Sequence, residues 1–158
     1  MKGSPKVIAM LNEALHEELV AISQYFLHAE MCENWHYKKL GNFIRKQSID
    51  EMKHAEQIIE RILFLDGVPE MSKALKLTIG ANVKKQIEND LKLEVEAVAM
   101  YNRAVAVARE EHDNASRELF ERFVKDEEAH VDWLEAQVHQ IKEMGYERYL
   151  TEQIGEGA

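Results

Sequence analysis

Thiol chemistry is the first thing the sequence rules out. Cys32 is the one cysteine, so the chain cannot close an internal disulfide, build a Cys-x-x-Cys metal site or hold an iron–sulfur cluster by itself. No nucleophile motif surrounds it, and Cys32 reads as a structural or surface residue. Basic charge is also short: 20 Lys and Arg face 29 Asp and Glu, a formal net charge of −9. Nothing basic is concentrated enough to replace the counterions of a phosphate backbone, so a nucleic-acid partner is excluded. No run approaches the ~18 apolar residues needed to cross a bilayer, which excludes a membrane span. The opening Met-Lys-Gly-Ser-Pro-Lys has no apolar signal core, and the expected location is cytoplasmic. Proline occurs twice, as Pro5 and Pro69, and the seven glycines are Gly3, Gly41, Gly67, Gly80, Gly145, Gly155 and Gly157. Long stretches therefore lack either breaker, and the alternation of a half-buried strand is missing as well.

What remains is helical. The 158 residues are 46% hydrophobic and 31% charged, enough for a single domain over 1–158 with a real core. The first helix is expected to start with Ser4 as N-cap and Pro5 at the first helical position, and to run to about Asn34 on a stripe of Val7, Leu11, Leu15, Ile22 and Phe26. The second begins after the His36 to Gly41 region and stops at Asp66-Gly67-Val68-Pro69, with Gly67 as its C-terminal cap. About 14 residues of weak periodicity follow, long enough to cross a bundle. The third helix is placed from about Asn82 to Glu111, the fourth from about Asn114 to Met144 with Gly145 closing it, and a short fifth over 146–154. The expected fold class is all-α: a four-helix bundle with a long crossover between helices two and three and a short C-terminal helix.

The chemistry lies in a repeat. Glu51 precedes His54 by three residues, and on a helix that spacing puts both heads on one face. A second copy, Glu127 and His130, stands 76 residues downstream, and the same offset relates Glu18 to Glu94 and Tyr25 to Tyr101. One glutamate in a helix reads as part of a solvated face. Six residues recurring in register do not. One Glu from each of two helices and a Glu-x-x-His from each of the other two matches the ligand inventory of ferritin-like di-iron or di-manganese carboxylate centres. Four carboxylates and two imidazoles suit iron or manganese and offset two divalent cations, whereas without metal or protonation four buried carboxylates would repel. Tyr25 and Tyr101, two turns beyond Glu18 and Glu94, are placed either to hydrogen-bond a ligand carboxylate or to pack the core.

On these residues, together with Gln24 to Ala29, Ser48 to Ala55, Glu60 to Leu65 and Asp132 to Glu135, the chain resembles the bacterioferritins over essentially its whole length. The resemblance implies a homo-oligomeric hollow shell of twenty-four subunits, a ferroxidase that oxidises Fe(II) with O2 or H2O2, and storage of the ferric mineral inside. It implies bridging roles for Glu51 and Glu127, terminal roles for Glu18 and Glu94, and one iron each for His54 and His130. Met52 points about 100° away from the metal face. By the same resemblance it is an axial ligand of haem b shared across a two-fold dimer, with a small ferredoxin donating electrons for iron release. Asn34, Asp66 and Asp132 are implied to line small openings between subunits. Lys46 stands where some family members carry a His beside the equivalent of Asp50, and no third iron is assigned there. Two other readings fit parts of the pattern: a di-iron peroxidase of the rubrerythrin kind, set back by the missing Cys-x-x-Cys module, and a helical assembly whose metal only stabilises the bundle.

Overall fold

The computed structural model describes residues 1–156, and these form five helices: α1 (Pro5–Asn34), α2 (Lys38–Phe64), α3 (Val83–Glu110), α4 (Asn114–Met144) and α5 (Tyr146–Thr151). Among the described residues there is no strand. No helix is long and apolar enough to cross a membrane. The start of α1 follows its local chemistry, with Ser4 Oγ accepting from the Lys6 N–H at 3.2 Å and Pro5 filling the first helical position. There Pro's missing N–H costs nothing. Asn82 caps α3 by accepting from the Lys85 N–H at 2.9 Å, and Gly145 takes the left-handed φ of 84° that ends α4.

Two expectations about glycine are corrected. The second helix starts at Lys38, before Gly41, and takes that glycine inside. The reason is packing: a Cβ at Gly41 would lie 3.2 Å from the Ala29 carbonyl oxygen and 3.4 Å from Cys32 Cβ, so its absence lets α1 and α2 close on each other. At the other end of α2, Asp66 rather than Gly67 adopts positive φ, 58°. The Asp66 N–H donates to Leu63 O at 3.1 Å and the Gly67 N–H to Ile62 O at 2.9 Å, the paired bonds of a Schellman ending. Gly67 is small because a Cβ there would come within 2.9 Å of Ile8 Cγ2. The fifth helix is shorter than expected and ends at Thr151.

α1 pairs with α2 and α3 with α4 as antiparallel hairpins, and side-chain bonds set how the hairpins meet. Tyr25 reaches Glu94 and Tyr101 reaches Glu18, so residue numbers rise along α1 as they fall along α3. Arg61 with Asp113, His54 with Asp126, and Phe43 stacked on Trp133 show the same antiparallel register between α2 and α4. The crossover runs along α1 and is pinned to it in order: Asn12 Nδ2 donates to Val68 O, the Thr78 N–H to Gln24 Oε1, and the Gly80 N–H to His28 Nε2. Buried apolar residues fall into two clusters. One includes Leu11, Leu15, Ile58, Ile62, Tyr101, Phe120 and Phe123, the other Tyr25, Leu40, Ile44, Ile87, Leu134 and Tyr149. The layer between them is polar, because the six repeated acidic and imidazole residues occupy it.

Candidate metal centre

Glu18, Glu51, Glu94 and Glu127 are almost wholly buried, and His54 and His130 nearly so. Each comes from the middle of a different helix or from the next turn of the same one, so the heptad-like stripes that build the two apolar clusters also aim these heads inward. The layer resolves into two overlapping sets. Glu18, Glu51, His54 and Glu127 each offer a ligand atom within 4.8 Å of one another, and so do Glu51, Glu94, Glu127 and His130. Glu51 and Glu127 belong to both. His54 Nδ1 lies 2.9 Å from Glu51, 3.1 Å from Glu127 and 3.4 Å from Glu18. His130 Nδ1 lies 3.0 Å from Glu51 and 3.5 Å from both Glu94 and Glu127.

These close approaches are not aligned as hydrogen bonds. Both Nδ1 atoms, both oxygens of Glu51 and one oxygen each of Glu18, Glu94 and Glu127 are buried without a hydrogen-bond partner. Orphaned buried polar atoms are rare and costly. Here they face one another across a common centre, a donor set that fits a pair of divalent cations. Electrostatics points the same way. Burial, then the charges of Glu51 on Glu18 and of Glu127 on Glu94, holds both terminal carboxyls well above the ordinary range. Burial also opposes charge on Glu51, His54 and His130, but proximity of opposite charge wins. The imidazoles keep Glu51 well below its usual value, and the carboxylates, led by Glu127, keep both imidazoles well above theirs. Protons thus hold the layer together, and two cations could replace them.

Each tyrosine serves the opposite hairpin. Tyr25 OH donates to Glu94 Oε1 and Tyr101 OH to Glu18 Oε1 in short, buried hydrogen bonds, and burial first, then the facing carboxylate, raises both phenols. Met52 is 54% exposed on the outer side of α2. Asn34 ends α1, Asp66 follows α2 at the other end of that hairpin, and Asp132 lies on α4, all three exposed. One chain does not bring them together. Lys46 is exposed, and Asp50 pairs with Lys53 at 3.7 Å.

Sequence reading missed two polar groups beside the centre. Asp126 accepts from His54 Nε2 at 3.0 Å. Asp90, one turn before Glu94, is buried against Gln24 Nε2 at 2.8 Å and His28 Nδ1 at 3.0 Å. Burial raises the Asp90 carboxyl, partly offset by His28. Its place four residues before Glu94, on the inward stripe of α3, was the available signal.

The bundle, the crossover and the six-residue layer define a ferritin-like protein, and the ferritin-like domain family matches residues 8–144. The chain is 44% identical over 152 residues to a bacterioferritin of Mycolicibacterium paratuberculosis, covering 96% of both chains. It is 43% identical over 149 residues to one of Brucella melitensis, covering 94% of this chain and 92% of that one. With one of Streptomyces coelicolor it shares 41% over 151 residues, 96% of this chain and 90% of the relative. The chain belongs to the bacterioferritin family.

Proposed function

We propose that this chain is an iron-storage subunit that oxidises Fe(II) at the six-residue layer and, with further copies of itself, encloses the ferric product in a shell of twenty-four. The observation that carries the reading is the convergence of seven orphaned donor atoms from Glu18, Glu51, His54, Glu94, Glu127 and His130 in a buried layer. Iron is substrate here. Glu51 and Glu127, common to both sets, bridge the two ions; Glu18 with His54 and Glu94 with His130 complete one ion each. Two Fe(II) ions give one electron apiece to the oxidant. O2 taking two electrons and two protons leaves as peroxide, and peroxide taking two more of each leaves as water. Tyr25 and Tyr101 hold the terminal carboxylates from the second hairpin and the first, so that the ions meet a geometry already set.

A cavity of about 320 Å³ lined by Asp50, Lys53, His54, Gln57, Asp126 and His130 opens on the α2–α4 face. It gives ions a route to and from both imidazoles. On the opposite side of α2 the thioether of Met52 stands exposed one turn after Ile49, itself 47% exposed, and Phe26 of α1 is 56% exposed. A soft sulfur donor on an apolar face fits a haem iron, and Met52 of this chain with that of a second copy would hold haem b between them. Haem there supplies one-electron transfer, with a small ferredoxin as the donor for iron release in the cytoplasm. The domain is a single one, and no third iron is assigned beside Lys46.

The test is iron oxidation by the assembled protein. Glu18→Ala combined with Glu94→Ala leaves the shell intact and removes the fast phase of Fe(II) oxidation, by a factor of about 100 or more if geometry and charge are both lost. Unchanged initial rates would sink the ligand assignment. Metal bound without O2 consumption would instead mark the centre as structural.

A further inference from the structure

The two sets of the centre are related by the 76-residue repeat, and their surroundings are not. His54 Nε2 has a carboxylate acceptor, Asp126 Oδ2, at 3.0 Å. Its ring also packs on Phe123, with centroids 4.3 Å apart. The repeat places Asp50 where His130 would need the same acceptor, yet Asp50 turns to Lys53. Among the described residues no carboxylate other than the inner glutamates Glu51, Glu94 and Glu127 comes within 4.0 Å of either His130 nitrogen. The repeat mate of Lys53 is Ala129, so nothing competes for Asp126 in the other half. The mate of Phe123 is Gln47, whose buried Oε1 has no hydrogen-bond partner and which lines a small cavity with Tyr25, Asp90, His130 and Trp133.

We propose that Asp126 is a positioning residue for His54, and that it makes the His54 half of the centre the tighter one, filled first by a divalent cation. This deepens the metal-centre reading and rests on it. A cation at Glu18, Glu51 and Glu127 needs the lone pair of Nδ1, so the ring proton must sit on Nε2. Asp126 accepts that proton's hydrogen bond and fixes both tautomer and ring plane, as carboxylates behind metal-bound imidazoles do. Asp126 is 54% exposed, too open for the bond to matter much to folding. Its effect is on orientation. His130, without such an acceptor and beside a small void, must be ordered when its cation binds, and that ordering lowers the affinity of its half.

The experiment is a Co(II) titration of the assembled, iron-free protein, followed by visible absorption. Wild type takes up two Co(II) per chain in two separated steps. Asp126→Ala weakens the first step by roughly 10–100-fold and leaves the second, so the steps merge. Asp126→Asn, whose side-chain carbonyl still accepts from Nε2–H, recovers most of the separation, and Asp50→Ala keeps both steps as in wild type. A role in folding alone would lower thermal stability and leave the two steps apart. Separated steps in Asp126→Ala, or an equal loss in Asp50→Ala, overturns the proposal while the metal centre stands. A wild type that binds no Co(II) overturns both.

Discussion

At repeat-related positions the first hairpin carries Phe26, Leu27, Ile49, Met52 and Phe64 where the second carries Asn102, Arg103, Lys125, Glu128 and Gln140. Both groups are exposed. Inside the bundle the same offset keeps glutamate with glutamate, histidine with histidine and tyrosine with tyrosine. The contrast teaches which constraints act on each surface. These interior positions face one shared layer, while the outer faces meet different surroundings. Five large apolar side chains exposed on the first hairpin of a chain with a net charge of −9 are out of place against water. In the proposed shell further copies of the chain cover them, and the charged and amide face of the second hairpin suits solvent.

Transplanting the second face onto the first breaks that comparison with the largest effect. Phe26→Asn, Ile49→Lys and Met52→Glu together remove burial worth roughly 1.5–3 kcal/mol per apolar side chain and place two charges that must be desolvated in the proposed contact. The expected outcome by light scattering is loss of the large particle, with helicity retained because no buried position changes. A particle of unchanged size would mean that the apolar face is not where copies meet. Met52→Leu alone is gentler. The swap nearly conserves volume, so assembly persists while the haem absorption band disappears. A haem band that survives in this variant assigns the axial ligand elsewhere.

The inward half of this comparison was legible in the sequence and the outward half was not. Glu-x-x-His at an offset of 76 is a pattern of residue types at helical spacing, so the four helices, the crossover and all six polar heads could be placed without coordinates. Which tyrosine serves which glutamate could not, because Tyr25 bonding Glu94 depends on the antiparallel register of α1 and α3. Asp126 and Asp50 look equivalent along the chain, and they separate only when Lys53 is seen to hold one of them. Gly41 and Gly67 read as punctuation, yet both are small because another element passes close by. Left-handed backbone fell instead to His36, Asp66 and His112, residue types that tolerate it better than most but mark it far less sharply than glycine.

The two hairpin turns supply the smallest contrast. His36 and His112, again 76 apart, both take positive φ, and each turn closes with the equivalent backbone bond: Tyr37 N–H to Cys32 O in the first and Asp113 N–H to Ala108 O in the second, both at 2.9 Å. The next helix then begins differently. Tyr37 gives α2 no side-chain cap and packs its ring against the second apolar cluster. Asp113 caps α4, accepting from the Ser116 N–H at 3.0 Å and its hydroxyl at 2.7 Å, and from Arg61 Nη2 at 2.8 Å. Asp113→Ala is expected to cost about 1–2 kcal/mol, a fall in Tm of about 2–4 °C per kcal/mol for a chain of this length. Asp113→Asn, which keeps the cap and weakens only the Arg61 pair, falls less. Burial nudges the Asp113 carboxyl upward, but the Ser116 bonds and Arg61 outweigh it and hold it below the usual value. A lowered folded value means that the stabilisation is present above the unfolded carboxylate value near ~4 and is lost as pH falls through the folded one. The gap in Tm between wild type and Asp113→Ala should therefore be full at neutral pH and close in strong acid. A gap that stays constant down to acid would assign the effect to shape rather than charge, and would make the second turn no different in kind from the first.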